Sequence, residues 1–202
     1  MFAIVEAAGW PIWFLIFASV VAVGLITERL IYLRSSRVSP PALLDEVVIT
    51  LKQHGVSDEM LDQLAKNSPL GYIFATGLKN IKSTQEVMKE SIEEAGRAMT
   101  HDLERFLTTL GTIASISPLL GLFGTVVGMI EIFGAQTVAG NSPAVLAHGI
   151  SVALYNTAFG LIVAIPSMTF YRHFRAKVDS LTVEMEQQAI KLVEVVHGQR
   201  KG

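Results

Sequence analysis

The sequence has 202 residues, of which 50% are hydrophobic and 17% charged, with a formal net charge of -2 and no cysteine. Soluble domains usually have about a quarter of their residues charged, and nucleic-acid binders usually carry a strong basic excess. The composition therefore argues against nucleic-acid binding. The lack of cysteine excludes a disulfide framework and thiolate metal sites.

Three long segments contain no Asp, Glu, Lys or Arg: residues 7–27, 106–130 and 132–171. The last is interrupted by the turn-rich residues 135–143, AQTVAGNSP, which cannot be helical throughout. Because a membrane-spanning helix needs about 20 apolar residues, we predict span one near 10–33, span two near 108–133 and span three near 144–171. The alternative, three buried helices of a soluble protein, would need a larger chain to cover helices that are apolar on every side.

Span one resembles a secretory signal peptide in its position, but it lacks a basic start and a clear cleavage site, and its apolar segment is too long. We therefore expect a retained helix. All 16 Lys and Arg residues lie within residues 29–105 or 172–201. The positive-inside rule then places the N-terminus outside and these basic segments inside.

This topology divides the chain into six segments. They are an external N-terminus with span one (1–34), a cytoplasmic helical domain (35–105), span two (106–134), an external loop (135–143), span three (144–171) and a cytoplasmic C-terminal helix (172–202).

Helix start and stop signals fill the cytoplasmic domain. Ser39-Pro40-Pro41, Ser57 and Ser68-Pro69 are typical of helix starts, and Gly55 of a stop. The segment Ser83–Glu86, STQE, has the capping-box pattern with Ser83 as the cap.

Two helices are predicted to extend beyond the membrane. No strong break appears from Thr84 to about Gly134, which predicts a helix of about 50 residues and ~75 Å. Span three is predicted to continue as a helix to His197, with Gly198 as its stop. The expected fold is an all-α integral membrane protein with three transmembrane helices, of which two extend as long cytoplasmic helices.

Signatures of soluble enzymes are missing: the sequence contains no Gly-rich phosphate loop, no His-Glu-x-x-His and no Gly-x-Ser-x-Gly. We therefore expect no enzyme, cofactor or metal site. The carboxylates of residues 86–104 share their helix with Lys89, Arg97 and Arg105, a pattern typical of a solvated helix face.

Small residues recur at spacings of three or four in spans two and three. They are Gly111, Ser115, Pro118, Gly121, Thr125 and Gly128 in span two, and Gly149, Ala153, Thr157, Gly160 and Ala164 in span three. Small faces predict close helix contacts in lipid. The polar groups of Thr125, Asn156 and Thr157 should face the bundle interior or a wet path.

Span one has no small-residue face, so we expect it to lie outside the other two. Glu28 and Arg29 lie at its inner end. We expect this pair to anchor the helix at the membrane interface or to pair with neighbouring subunits.

Two motifs resemble the signatures of a known family. Residues 117–130, SPLLGLFGTVVGMI, and 149–166, GISVALYNTAFGLIVAIP, resemble the second- and third-helix signatures of the ExbB/TolQ proton-channel family, which is related to the MotA motor stators. The segments TERL at 27–30 and SPL at 68–70 fit the same family. The resemblance covers nearly the whole chain in order.

The resemblance implies a homopentamer in the inner membrane of a Gram-negative bacterium, with the second and third helices around a pore. An ExbD/TolR-like single-span partner would place an essential Asp inside that pore. Ion flow would move this partner, and the motion would pass to a TonB-like or TolA-like protein.

Site residues follow from the same comparison of motifs. The expected pore-lining residues are Ser117, Thr125, Val152, Asn156 and Thr157. The expected helix-packing residues are Gly111, Pro118, Gly121, Gly124, Gly128, Gly149, Gly160 and Pro166.

The third-helix motif departs from the family at Val152, where the family commonly carries Glu. The titrating group would then come from the partner's Asp, with the hydroxyls of Thr125 and Thr157 beside it. We favour H⁺ as the ion. Na⁺ is the alternative, because hydroxyl and amide oxygens are hard ligands. A role in energising a TonB-like protein for outer-membrane transport is favoured over a TolQ-like role in envelope maintenance and over a non-conducting scaffold.

Single cysteine probes test the topology, since the chain has no native cysteine. Ala3→Cys and Ala139→Cys should react with an impermeant thiol reagent added from outside, whereas Ser57→Cys and Gln199→Cys should not. Labelling of Ser57→Cys from outside would overturn the assignment.

Overall fold

The computed structural model describes residues 9–139 and 143–198, and every regular element within them is helical. The helices are α1 (Ile12–Tyr32), α2 (Ser35–Val38), α3 (Leu43–His54), α4 (Asp58–Asn67), α5 (Pro69–Lys79), α6 (Gln85–Glu104), α7 (Leu107–Ala139) and α8 (Pro143–Val196). The predicted all-α class is confirmed. The segments Ile12–Tyr32, Gln85–Gly134 and Ala147–Val196 are each long and apolar enough to cross a membrane.

The chain divides into two compact units. The first contains α1 up to Glu28, α7, and α8 up to His173. The second contains residues Arg29–Arg105 and the rest of α8 from Phe174.

The first unit buries little of its apolar surface. Ile12, Leu15, Leu110 and Ala114 are among its buried residues, but only 17% of the apolar segment of α1 is buried. Large apolar side chains are exposed on all three helices, which in water would leave far more apolar surface than a soluble monomer shows. This unit therefore has the surface expected of a membrane domain.

The second unit has a conventional core. Phe74, Met88, Phe174, Leu181 and Met185 are almost completely buried there. Helices α6 and α8 carry charged side chains between these apolar positions, so that each buries one face and leaves the other to water.

Polar contacts join the C-terminal part of α8 to the rest of the second unit. Lys177 donates to the Ser35 hydroxyl at 2.7 Å, and Ser39 donates to a Glu184 carboxylate oxygen at 3.0 Å. Arg175 lies 3.0 Å from a Glu104 oxygen. This long helix is therefore held by charged groups as well as by its apolar face.

Most of the predicted helix ends in this unit agree with the structure. The side chains of Ser57 and Ser68 accept hydrogen bonds from the backbone N–H groups of Met60 and Gly71. Gly55 and Gly198 both have positive φ, of 72° and 70°, the conformation that makes glycine a frequent helix stop.

Two local predictions were wrong. The cap of α6 is Thr84, whose hydroxyl accepts from the Val87 N–H at 3.4 Å, and not Ser83. Helix α7 continues to Ala139, five residues into the segment that we expected to be a loop.

The predicted helix of about 50 residues corresponds to the apolar helical segment Gln85–Gly134. Within this segment, Arg105 and Phe106 form a turn between α6 and α7.

The position of the α6 cap can be tested by alanine substitution. Thr84→Ala should cost about 1 kcal/mol of stability, because the Val87 N–H loses its acceptor. Ser83→Ala is the matched control, and as a surface change it should cost less than about 0.5 kcal/mol. Thermal unfolding of the purified protein measures both. A larger loss for Ser83→Ala would return the cap to Ser83.

Candidate functional site

Helix α7 and the first part of α8 pack against each other in opposite directions within the first unit. A Cβ added at Gly111 would lie 3.1 Å from the Tyr171 ring, and one at Gly128 would lie 3.1 Å from the Ala153 Cβ. Residue numbers therefore rise along α7 as they fall along the facing side of α8. The predicted small-residue faces meet along this contact.

The closest approach lies near the middle of the two helices. A Cβ at Gly121 would lie 2.7 Å from the Asn156 carbonyl oxygen and 3.0 Å from the Thr157 Cα. A Cβ at Gly160 would lie 2.6 Å from the Ser117 carbonyl oxygen. Because these neighbours are backbone atoms, which cannot turn away as a side chain can, only glycine fits at the two positions.

Two more glycines accommodate side chains of the opposite helix. A Cβ at Gly124 would lie 2.7 Å from the Asn156 Cβ and Cγ. A Cβ at Gly149 would meet the Ile132 side chain at 2.8 Å. The Asn156 side chain is thereby placed against α7, and its residue is only 1% exposed.

Gly121 and Gly160 both lie at contacts between two helices of the same chain. A bulky residue at either position would disturb the subunit before it disturbed an assembly. Pro118 and Pro166 both lie inside helices that continue past them.

Two of the predicted pore-lining hydroxyls donate to their own helix. Thr125 Oγ1 donates to the Leu122 carbonyl oxygen at 2.6 Å, and Ser117 Oγ donates to the Ile113 carbonyl oxygen at 2.7 Å. Such bonds use the hydroxyl hydrogen and leave the oxygen lone pairs available to a cation or a donor. Ser117 is buried, whereas Thr125 and Thr157 are partly exposed.

Thr125 also lines a shallow groove on the surface of the first unit. The groove has a volume of about 560 Å³, and its other lining residues are Val126, Met129, Ile130, Phe133 and Gly134. Thr125 thus presents one polar oxygen in otherwise apolar surroundings. Val152 is partly exposed and adds no titratable group.

Arg29 and Glu28, the pair expected to anchor the inner end of span one, differ in burial. Arg29 is 3% exposed, its Nη1 donates to the Leu103 carbonyl oxygen at 3.1 Å, and its guanidinium lies 4.9 Å from the centre of the Tyr32 ring. Glu28 is exposed. The anchoring role of the pair stays a prediction.

A second residue, Asp102, joins this region through a hydrogen bond from the Tyr32 hydroxyl to its Oδ2 at 2.9 Å. Sequence reasoning missed the contact, because about 70 residues separate its partners and no local pattern signals it.

In the part of the chain that the structure describes, no group of three His, Asp or Glu residues could hold a metal ion.

Comparison with known proteins agrees with the family resemblance of the two helix motifs. Residues 65–187 match the model of the MotA/TolQ/ExbB proton channel family. The chain is 33% identical over 171 residues to the biopolymer transport protein exbB1 of Vibrio cholerae, covering 81% of this chain and 74% of that protein. It is 30% identical over 142 residues to the Tol-Pal system protein TolQ of Haemophilus influenzae, covering 64% and 62%.

A biopolymer transport protein ExbB homolog of Methanothermobacter thermautotrophicus is 33% identical over 175 residues, or 85% of this chain. The match spans 62% of that relative's length.

An alanine substitution at Gly160 tests the close contact between α7 and α8. Gly160→Ala should lower stability by about 1–3 kcal/mol, because the added methyl group forces α7 and α8 apart. Gly134→Ala is the matched control on α7, since an added Cβ there meets nothing within 4 Å and alanine favours the helix. Thermal unfolding in detergent measures both. Equal stability of Gly160→Ala and the unchanged protein would contradict the close contact.

Proposed function

Because the chain belongs to the MotA/TolQ/ExbB proton channel family, we propose that it is the channel subunit of an ion-driven motor in the inner membrane of a Gram-negative bacterium. It acts with an ExbD/TolR-like single-span partner and uses the proton motive force to energise a TonB-like protein for outer-membrane transport. Three apolar segments long enough to span a membrane support this proposal.

The observation that carries the proposal is a pair of helices with polar oxygen atoms but no carboxylate in their central parts. Residues 106–130 and 132–171 contain no Asp or Glu, while the hydroxyl oxygen of Thr125 is partly exposed. Polar groups inside a membrane are costly and mark ion paths. The chain therefore supplies oxygen ligands, and the partner supplies the group that takes up and releases the proton.

Several copies of the chain are needed to enclose such a path. Ile130 is 67% exposed on α7, and Ile162 and Ile165 are 63% and 66% exposed on α8. One chain cannot surround a pore with two helices, and its apolar surface must be covered by lipid and by other copies. A ring of identical subunits meets both requirements, and the family resemblance implies five.

The TonB-like role is preferred over the TolQ-like role. The match to the Vibrio cholerae biopolymer transport protein extends over 81% of this chain, against 64% for the Haemophilus influenzae TolQ protein. The alternatives, envelope maintenance and a non-conducting scaffold, predict different phenotypes. A scaffold would need its glycines but not its hydroxyls.

The hydroxyls can be removed without changing side-chain shape. Thr125→Val and Thr157→Val should each abolish partner-dependent ion flux while leaving assembly with the partner intact, because valine matches threonine in size but lacks the oxygen. Thr27→Val is the matched control, since Thr27 is exposed on α1 and also donates to its own helix, at the Val23 carbonyl.

Flux in vesicles that contain the chain and its partner measures the effect, and native mass spectrometry measures assembly. Full flux in the double variant Thr125→Val with Thr157→Val would exclude these hydroxyls from the path. Flux that follows a sodium gradient rather than a pH gradient would show that the transported ion is Na⁺ and not H⁺.

A further inference from the structure

The segment between α6 and α7 has a backbone conformation that most residues avoid. Arg105 has φ -50° and ψ 138°, and Phe106 has φ 65°. The ψ of Arg105 lies outside the helical region, so α6 cannot continue past Glu104 as a regular helix. The positive φ of Phe106 lies in the left-handed region, which most residues other than glycine avoid.

The same turn ends the hydrogen bonding of α6. In a continuous helix, the Leu103 carbonyl would accept from the N–H four residues later, but α6 ends at Glu104. The last carbonyl groups of any helix lack intrahelical donors. The Arg105 N–H satisfies the Asp102 carbonyl at 3.2 Å, and the Leu103 carbonyl is bonded instead by the Arg29 side chain at 3.1 Å.

The surroundings of Arg29 stabilise its positive charge at the C-terminal end of α6. It is almost fully buried, and burying a charge is costly unless the charge is compensated. The compensation comes from the Leu103 carbonyl and from the Tyr32 ring, whose centre lies 4.9 Å from the guanidinium carbon. The C-terminal end of a helix also carries partial negative charge, which favours a cation.

Tyr32, whose ring contacts the Arg29 guanidinium, also forms a hydrogen bond to the end of α6. Its hydroxyl donates to Asp102 at 2.9 Å, one residue before the carbonyl that Arg29 binds. Arg29, Tyr32, Asp102 and Leu103 all belong to the second unit. We call these four residues the Arg29 cluster.

We propose that Arg29 is the C-terminal cap of α6, supplied from the end of α1, and that the Arg29 cluster fixes the end of α6 at Glu104. A side chain distant in sequence does here what a glycine turn does at other helix ends. This role goes beyond ion conduction and would hold for either ion. It also explains why the charge is buried inside its own chain.

Hydrogen exchange of the complete protein in detergent tests the cap. Arg29→Met keeps the length of the side chain but removes its donors. It should accelerate exchange of the amides of residues 102–105, at the end of α6, by roughly 10- to 100-fold, the factor expected for losing a hydrogen bond to a charged group. Amides in the middle of α5 should change far less. Arg34→Met is the matched control, because Arg34 is exposed nearby, and it should leave residues 102–105 unchanged.

A further variant separates capping from a general loss of packing. Arg29→Lys keeps a donor and the charge, so it should restore most of the protection that Arg29→Met loses.

Unchanged exchange at residues 102–105 in Arg29→Met, or an equal effect of Arg34→Met, would overturn the cap. If Arg29→Met does not fold, Arg29→Lys decides, since a cap predicts partial acceleration at residues 102–105 and a packing role predicts acceleration throughout the second unit.

Discussion

The close approach of α7 and α8 is the contact on which the rest of the first unit depends. Gly121 and Gly160 bring backbone against backbone, with no space for a Cβ at either position. In lipid, apolar burial gives helices no reason to associate, so van der Waals contact at small residues has to supply the attraction. This contact places Asn156 against α7 and fixes which oxygen atoms can face a path.

The same physics explains why the site has so few polar groups. Every hydroxyl or amide in a membrane span must be bonded within the protein or face water. Ser117 and Thr125 bond to carbonyl groups of their own helix, which makes them tolerable in lipid while leaving oxygen lone pairs for an ion. A carboxylate would be far more costly, and residues 106–130 and 132–171 contain none. The proton-binding group is therefore expected from the partner.

Much of this architecture can be predicted from the sequence, because charge and hydropathy respond directly to the bilayer. The three spans, the caps Ser57 and Ser68, and the glycine faces all follow from local patterns. Contacts between distant residues do not. The burial of Arg29 depends on Leu103, 74 residues away. The turn at Phe106 has no Gly or Pro to signal it, and a glycine face alone cannot show whether its partner is the same chain or a neighbour.

Ion flux into liposomes tests the central claim, that this chain provides the path and its partner the titrating group. Liposomes should be prepared with the chain alone, with the single-span partner alone, and with both, under an imposed pH gradient. The account predicts proton flux with both proteins and none with either alone. Proton flux through the chain alone, at a rate unchanged by adding the partner, would contradict it.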